Sequence, residues 1–196
     1  MISDGNSSFL TWQGEKGNSK RIPLDSQSEL SSALATAGVD GIEYKNGDVD
    51  FSPVSKFEIS FQRGEKIYQQ LLEGIEIDTL HSRSDLNDAI RKRWQSLAKK
   101  QILDKINEKD NQEFMQEFAE KTGIDTSLVG TRGKMTVEIL EQELSRVGLT
   151  LHETPDCSEI QFVPTIIHDA FKHSGGVSEM IERMISADFR NKIYHN

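Results

Sequence analysis

Three of the five histidines in this chain lie between Leu149 and Gly176, in the segment LTLHETPDCSEIQFVPTIIHDAFKHSGG. A carboxylate directly follows His152, and His168 and His173 come later in the same segment. Imidazole and carboxylate groups suit zinc or another transition metal, whereas a magnesium site relies more on oxygen atoms. The residue types in this segment are therefore compatible with a metal site.

Local sequence patterns predict the elements that carry these side chains. The run LTLHE predicts a short strand, TPDCS a turn, and EIQFV a second strand in which apolar residues alternate with polar ones. Thr165 is the predicted cap of a helix, IIHDAFKHS, that continues to the following pair of glycines. A helix packed over this hairpin would carry His168 toward His152 and Glu153.

The spacing of the two helix histidines leaves the metal site open to a second interpretation. His168 and His173 are separated by about 500° of helical turn, so they do not share one helical face as an i,i+4 pair would. Both could bind one ion if the helix ends or unwinds near His173, which the sequence Ser-Gly-Gly after it permits. The alternative is that these histidines face solvent or cap the helix.

Composition limits the class of protein. The chain has 196 residues, which suit one globular domain or a compact domain with an appended module, and a net charge of −9. This charge argues against bulk electrostatic coating of nucleic acid, so contact with phosphates would need a local basic cluster, and it leaves room for a basic partner protein. No run approaches the ~18 apolar residues that cross a bilayer, and the first residues lack the pattern of a signal peptide. The single cysteine, Cys157, is expected to be an inert thiol.

The patterns along the chain predict three regions. Residues 1–62 are predicted to hold an N-terminal arm and a small β/α region. Its predicted elements are a helix in SQSELSSALATAGVDG with Ser28 as its cap, a hairpin in IEYKNGDVDFSP that turns at Asn46-Gly47, and a strand in SKFEISF. Residues 63–133 are predicted to be helical, because apolar residues recur every three or four positions and no proline interrupts them. Residues 134–196 begin with a predicted helix, TVEILEQELSRV, and contain the histidine segment. The predicted fold class is therefore α+β, with a small N-terminal sheet, a helical middle and a C-terminal strand-strand-helix module.

A basic segment in the helical region is the candidate surface for nucleic acid. The segment LNDAIRKRWQSLAKKQILDK has six basic residues against two aspartates. Its predicted substrate-binding residues are Arg91, Arg93, Lys99 and Lys100, which could contact a phosphate backbone. The alternative is a solvated helix face with Trp94 in the core, since charged faces are common on surface helices.

The histidine segment also resembles a known family. The run L-x-x-H-E-x-x-D, followed by I-Q-F-V-P-x-x-x-H-x-x-x-x-H-S-G-G, is similar to the HNH/endonuclease VII superfamily of bacterial polymorphic-toxin nucleases, in the branch with Trp-His-His or Leu-His-His motifs. The upstream segments GNS, residues 17–19, and GIEYKNGDVDFSP, residues 41–53, look like the region that precedes the motif in such toxins. The resemblance covers about half of the chain, and the C-terminal motif is the more specific part.

The resemblance implies a ββα-metal, or His-Me finger, nuclease in which a histidine activates water and one divalent cation stabilises the developing charge. Carried over position by position, His152 and Glu153 fall on the catalytic pair, and His168 and His173 fall on the metal-binding histidines. Glu153 departs from the family, where many members have a second histidine. The roles therefore divide in two ways: either His152 is the base and Glu153 supports metal or water, or His152 binds metal and Glu153 takes the proton. A third possibility is that the altered pair leaves a domain that only binds its substrate, or a nuclease with weakened activity.

The resemblance further implies an activity, a place of action and a protein partner. The expected function is that of a DNase toxin that uses a divalent ion, Zn²⁺, Mg²⁺ or Mn²⁺. It would be secreted or injected as part of a larger effector, act in the cytoplasm of a target cell, and be held in check by a cognate immunity protein, with no membrane partner. The alternatives are an RNase on the same fold, and a non-catalytic interaction module in which the histidines hold a structural zinc.

Overall fold

The structure is a computed structural model. It describes residues 9–60, 71, 75, 82–108, 111–127, 129, 133–154 and 158–171. The predicted site residue His173, as well as Asp156 and Cys157, lies outside the described residues.

The described part of the chain is a mixture of short strands and helices. The elements in chain order are strands β1 (Leu10–Trp12) and β2 (Arg21–Pro23), helix α1 (Glu29–Thr36), strands β3 (Glu43–Lys45) and β4 (Asp48–Asp50), a 3-10 turn (Ser52–Val54), strand β5 (Glu58–Ser60), helices α2 (Arg83–Ile106), α3 (Gln112–Thr122) and α4 (Val137–Val147), strands β6 (Leu149–Glu153) and β7 (Glu159–Pro164), and helix α5 (Thr165–Ala170). The prediction of an α+β fold is confirmed. Within the described residues, no helix is long and apolar enough to span a membrane.

Several local predictions are confirmed with their physical causes. The Ser28 hydroxyl caps α1 by accepting a hydrogen bond from the Ser31 backbone amide at 3.1 Å. Asn46 and Gly47 both have positive φ, 55° and 89°, as the tight turn between β3 and β4 requires. Gly148, at φ 67°, ends α4 in the left-handed conformation and leads straight into β6.

The strands form two hairpins and one larger sheet. Strand β1 pairs with β2 and β3 pairs with β4, both antiparallel, while the third sheet has the antiparallel order β5-β7-β6. The central strand, β7, belongs to the predicted C-terminal region, but its neighbour β5 belongs to the predicted N-terminal region. The packing therefore crosses the predicted region boundaries.

Each face of the β5-β7-β6 sheet is covered by a different hydrophobic core, because side chains alternate along each strand. On one face, which we call the helix face, Ile160 and Phe162 pack with a stripe of α2 that includes Ile90, Trp94 and Ile102. On the other face, which we call the histidine face, Val163 packs with residues of α1, α5 and the first two hairpins. These two faces decide which predicted site residues can meet.

Two predictions about α5 are wrong. Pro164 takes the cap position without a side-chain cap bond, and Thr165 is the first helical residue. The helix ends at Ala170 instead of continuing to the glycine pair, because Phe171 leaves the helical region at ψ 74° and its side chain is completely buried in the core of the histidine face.

Candidate functional site

The structure brings two of the predicted site residues together. The ring centroids of His152 on β6 and His168 on α5 lie 5.6 Å apart, with the ring planes at 64°. Only 2% of the His152 surface is exposed, whereas the His168 side chain is 24% exposed. We call these two residues the histidine pair.

The chain positions this pair through contacts at the start of β6 and α5. The Thr165 backbone amide donates a hydrogen bond to the Gly148 carbonyl at 2.8 Å, and the hydroxyls of Thr150 and Thr165 share another at 2.9 Å. The first turn of α5 is thereby tied alongside β6. His168 lies three residues after Thr165, and His152 lies two residues after Thr150 on the same strand face, so the two imidazoles are carried toward each other.

Phe51, which the sequence did not single out, completes this packing. Its ring is fully buried and lies 4.8 Å from the His152 ring in an edge-to-face arrangement. It also lies 5.7 Å from the His168 ring, at 33°. Such aromatic contacts restrict ring orientation. The segment after the β3-β4 hairpin therefore holds both histidines, although nothing in its sequence pattern indicates this.

A row of polar residues crosses the sheet beside His152. The strand register places Glu58, Gln161 and His152 side by side on the histidine face. Gln161 is 2% exposed, and its Nε2 donates to Glu58 Oε1 at 2.8 Å and to Ser52 Oγ at 3.0 Å. Sequence reasoning missed Gln161 because it occupies an alternating position of a predicted strand, where a polar residue normally faces solvent.

Glu153 does not join the histidine pair. It stands opposite Ile160 in the strand register, whereas His152 stands opposite Gln161. Since Ile160 belongs to the core of the helix face, alternation sends the Glu153 side chain away from His152. Both predicted divisions of roles between His152 and Glu153 assumed that the two side chains act together, and the observed register does not bring them together.

The histidine pair provides two of the ligands that a divalent ion would need. Two imidazoles that bind one ion, with metal–nitrogen distances of about 2.0–2.1 Å, would place their ring centroids roughly 5–6 Å apart, as the histidine pair does. Among the described residues, no group of three His, Cys, Asp or Glu side chains converges as a metal site would need. The third predicted ligand, His173, is outside that set. Asp169 lies beside the pair, with its Oδ1 3.3 Å from His168 Nδ1, but its side chain is 71% exposed.

The predicted substrate-binding residues lie on the other side of the sheet. All four belong to α2, whose apolar stripe packs on the helix face. Arg91 and Lys100 are exposed, Arg93 is half-buried, and Lys99 forms an ion pair with Glu141 of α4. The sheet therefore separates this basic surface from the histidine pair.

A cavity of about 560 Å³ opens on the histidine face beside Phe51. Its lining consists of the β3-β4 hairpin, Phe51 and Ser52 after it, and Thr154 and Gln161 from the large sheet. We call it the hairpin cavity. The register of the hairpin places Glu43 opposite Asp50 and Lys45 opposite Asp48 on its outer side, with Tyr44 and Val49 buried on its inner side.

Burial also changes the pKa of one side chain in the wall of the hairpin cavity, that of Tyr44. Desolvation raises the pKa of the Tyr44 hydroxyl to about 12, and the nearby Arg21 guanidinium offsets part of that rise. Tyr44 therefore stays protonated at neutral pH and cannot act as a general base.

Comparisons with protein-family models, with curated proteins and with solved structures find no match for this chain.

Proposed function

We propose that this chain is a metal-dependent endonuclease that hydrolyses phosphodiester bonds of nucleic acid, with DNA as the preferred substrate. The observation that carries the proposal is the histidine pair, 5.6 Å between ring centroids, at the junction of two strands and a helix. Two imidazoles at this separation can hold one cation together, or one can hold it while the other takes a proton from water. The motif resemblance supports the same conclusion, since it implies a ββα-metal nuclease.

The roles follow from the demands of the reaction. A divalent cation, zinc, magnesium or manganese, supplies positive charge beside the phosphate when it is bound. His168 and His173 would hold the cation, and His152 would accept a proton from the attacking water through a ring nitrogen. The edge-to-face contact with Phe51 keeps the His152 ring in one orientation, which general-base catalysis requires.

We also propose where this chain acts and which kind of protein inhibits it. The chain acts as the toxin end of a larger secreted or injected effector, in the cytoplasm of a target cell, and a cognate immunity protein neutralises it. The support is the motif resemblance, together with a net charge of −9 that suits a basic protein partner.

A second candidate function is a non-catalytic interaction module whose histidines hold a structural zinc. The observation that favours it is the 2% exposure of His152, because structural zinc sites are closed, whereas catalytic sites keep one position open. This candidate predicts that chelation unfolds the protein and that no substrate is cut.

The test is cleavage of supercoiled plasmid and of total RNA by the wild type and by His152→Ala, with Mg²⁺, Mn²⁺, Zn²⁺ or EDTA. A matched control is His195→Ala, a histidine outside the motif. Metal-dependent nicking of plasmid by the wild type and the control, but not by His152→Ala, is the expected result. Cleavage of RNA alone would move the assignment to an RNase, and absence of cleavage with every metal, combined with unfolding in EDTA, would favour the structural zinc.

A further inference from the structure

We propose that Asp169 positions the His168 imidazole for metal binding, by accepting a hydrogen bond from His168 Nδ1 and leaving Nε2 for the cation. This inference rests on the proposed function, because it concerns the metal site of the same nuclease. It gives a role to a carboxylate at a position that the motif leaves open, and it names the atom through which His168 binds.

The contact between these two adjacent side chains determines which ring nitrogen carries the proton. Asp169 Oδ1 lies 3.3 Å from His168 Nδ1. An ionised carboxylate only accepts hydrogen bonds, so Nδ1 is the nitrogen that donates in this contact. A neutral imidazole has one donor and one acceptor nitrogen, and the acceptor is the one that binds a metal ion. Nε2 therefore carries the lone pair with which His168 can bind a cation.

Two contacts on different parts of the His168 ring together restrict its orientation. Phe51 packs against the imidazole, with 5.7 Å between the ring centroids and 33° between the planes. Asp169 contacts the edge of the ring at Nδ1. The packing contact limits the tilt of the ring, and the edge contact selects one of the two orientations that a half-turn about χ2 would exchange. A metal ion shared with His152, whose ring lies 5.6 Å away, requires one such defined orientation.

The backbone holds Asp169 in place although its side chain is exposed. Asp169 is the second-last residue of α5, and the two residues that follow it, Ala170 and Phe171, are buried. The Phe171 backbone amide donates a hydrogen bond to the Ile167 carbonyl at 3.1 Å. Buried neighbours therefore anchor the carboxylate beside the ring. The 71% exposure of the side chain lets water compete for the hydrogen bond, which limits the size of the expected effect.

The helix itself gives no reason for a carboxylate at this position. Asp is a weak helix former, and a negative charge in the last turn of a helix opposes the macrodipole. Substitution of Asp169 should therefore leave the stability of α5 unchanged or slightly higher. An effect of the substitution on the imidazole or on metal affinity would then come from the lost contact with His168.

The first test measures the tautomer of His168 in the metal-free protein, which requires neither a metal nor cleavage. Ring nitrogen chemical shifts, at a pH where the ring is neutral, show which nitrogen carries the proton, and the signals that disappear in His168→Ala identify this residue. We expect the Nδ1–H form to predominate in the wild type. The Nε2–H form, which an isolated histidine prefers, should return in Asp169→Ala. Asp104→Ala is the matched control, since it removes an exposed carboxylate from the last turn of α2, which packs on the helix face of the sheet.

The second test measures the affinity for Zn²⁺ and Mn²⁺ by competition with a fluorescent chelator. Asp169→Ala should weaken binding by about tenfold, at the low end of the effect of outer-shell partners, because water competes at an exposed carboxylate. Asp169→Glu, which keeps a carboxylate on a longer side chain, should recover part of the loss. Asp104→Ala should leave the affinity unchanged.

The outcomes separate this inference from the proposed function. Equal tautomer populations in the wild type and Asp169→Ala, or unchanged metal affinity in that variant, overturn the inference even if the protein cuts nucleic acid. A loss of affinity without a change of tautomer also overturns it and makes Asp169 a ligand of the metal. If tautomer and affinity both respond but the wild type cuts neither DNA nor RNA with any metal, the proposed nuclease is refuted and Asp169 remains the positioning residue of a non-catalytic metal site.

Discussion

His152 and Glu153 are adjacent in sequence, yet their side chains leave opposite faces of the same strand. His152 stands opposite Gln161 and meets His168, whereas Glu153 stands opposite Ile160 on the helix face. A one-residue offset in a strand reverses the face to which a side chain points, so adjacency in sequence does not place two groups in one site. The candidate site is therefore built around the histidine pair.

The separation of these two residues predicts unequal effects of their substitution. We expect His152→Ala to reduce the cleavage rate by at least about 100-fold, because general-base catalysis contributes that much or more. Glu153→Gln should reduce the rate by less than about fivefold, because the carboxylate lies away from the pair. Initial rates of plasmid nicking at saturating metal would measure both, and equal losses in the two variants would show that the carboxylate reaches the site.

His168 is expected to control metal affinity. His168→Ala should weaken Mn²⁺ or Zn²⁺ binding by more than about tenfold, because loss of outer-shell partners alone typically costs 10–100-fold. Asp104→Asn is the comparison and should leave the affinity unchanged, since Asp104 is exposed on α2 at the other face of the sheet. Competition with a fluorescent chelator would give the affinities, and unchanged binding by His168→Ala would remove this residue from the metal site.

The buried ring of Phe51 should matter for both stability and the site. We expect Phe51→Leu to lower the free energy of unfolding by about 1–2 kcal/mol through lost packing, and to reduce cleavage as the imidazoles gain freedom. Phe9→Leu is the control, because Phe9 is 51% exposed and its substitution should change stability by less than about 0.5 kcal/mol. Urea unfolding curves would test the difference, and similar midpoints for the two variants would contradict the role given to Phe51.

The basic residues of α2 should affect long substrates more than short ones. Arg91 and Lys100 are exposed on a helix that covers the other face of the sheet, so a short oligonucleotide at the histidine pair would not reach them. Arg91→Ala/Lys100→Ala should therefore change cleavage of a hexanucleotide by less than about twofold, while weakening the binding of long DNA at low salt. A large loss with the hexanucleotide would mean that these residues contact the substrate near the cut.

The ion pair between Glu143 and Arg146 predicts a dependence of stability on pH. Hydrogen bonds from the Arg146 guanidinium, at 3.0 and 2.6 Å, lower the pKa of the Glu143 carboxyl below its ordinary value, and the Asp125 backbone amide adds to this effect. A lowered pKa stabilises the folded protein above the pKa of the unfolded chain, and this contribution disappears as the pH falls through the folded value.

Glu143→Gln should accordingly reduce the free energy of unfolding by about 1 kcal/mol at pH 7, with a smaller difference near pH 3. Glu108→Gln, at an exposed position just beyond α2, is the control and should show little change at either pH. Chemical denaturation at both pH values would measure this. A difference that does not shrink in acid would mean that the ionised carboxylate is not the stabilising group.

Much of the local structure could be predicted because its causes are local. The Asn46-Gly47 turn requires positive φ, and the cap at Ser28 needs a hydroxyl three residues before an amide. The strand LTLHE, the strand that follows it and the helix that carries His168 were also predicted from short patterns. The end of α5 was not, because it depends on the burial of Phe171 in a core formed by residues distant in sequence.

The sequence by itself determined which residue types are present for chemistry and on which elements they lie. The tertiary structure decided which of them meet. His152 and His168 converge because α5 is tied beside β6, and Phe51 and Gln161 join them through pairing and packing with distant segments. Glu153 and the basic residues of α2 are directed elsewhere by strand alternation and by the face on which α2 packs. Spacing along the chain encodes local periodicity, but the register between strands and the choice of packed face depend on contacts between segments far apart in sequence.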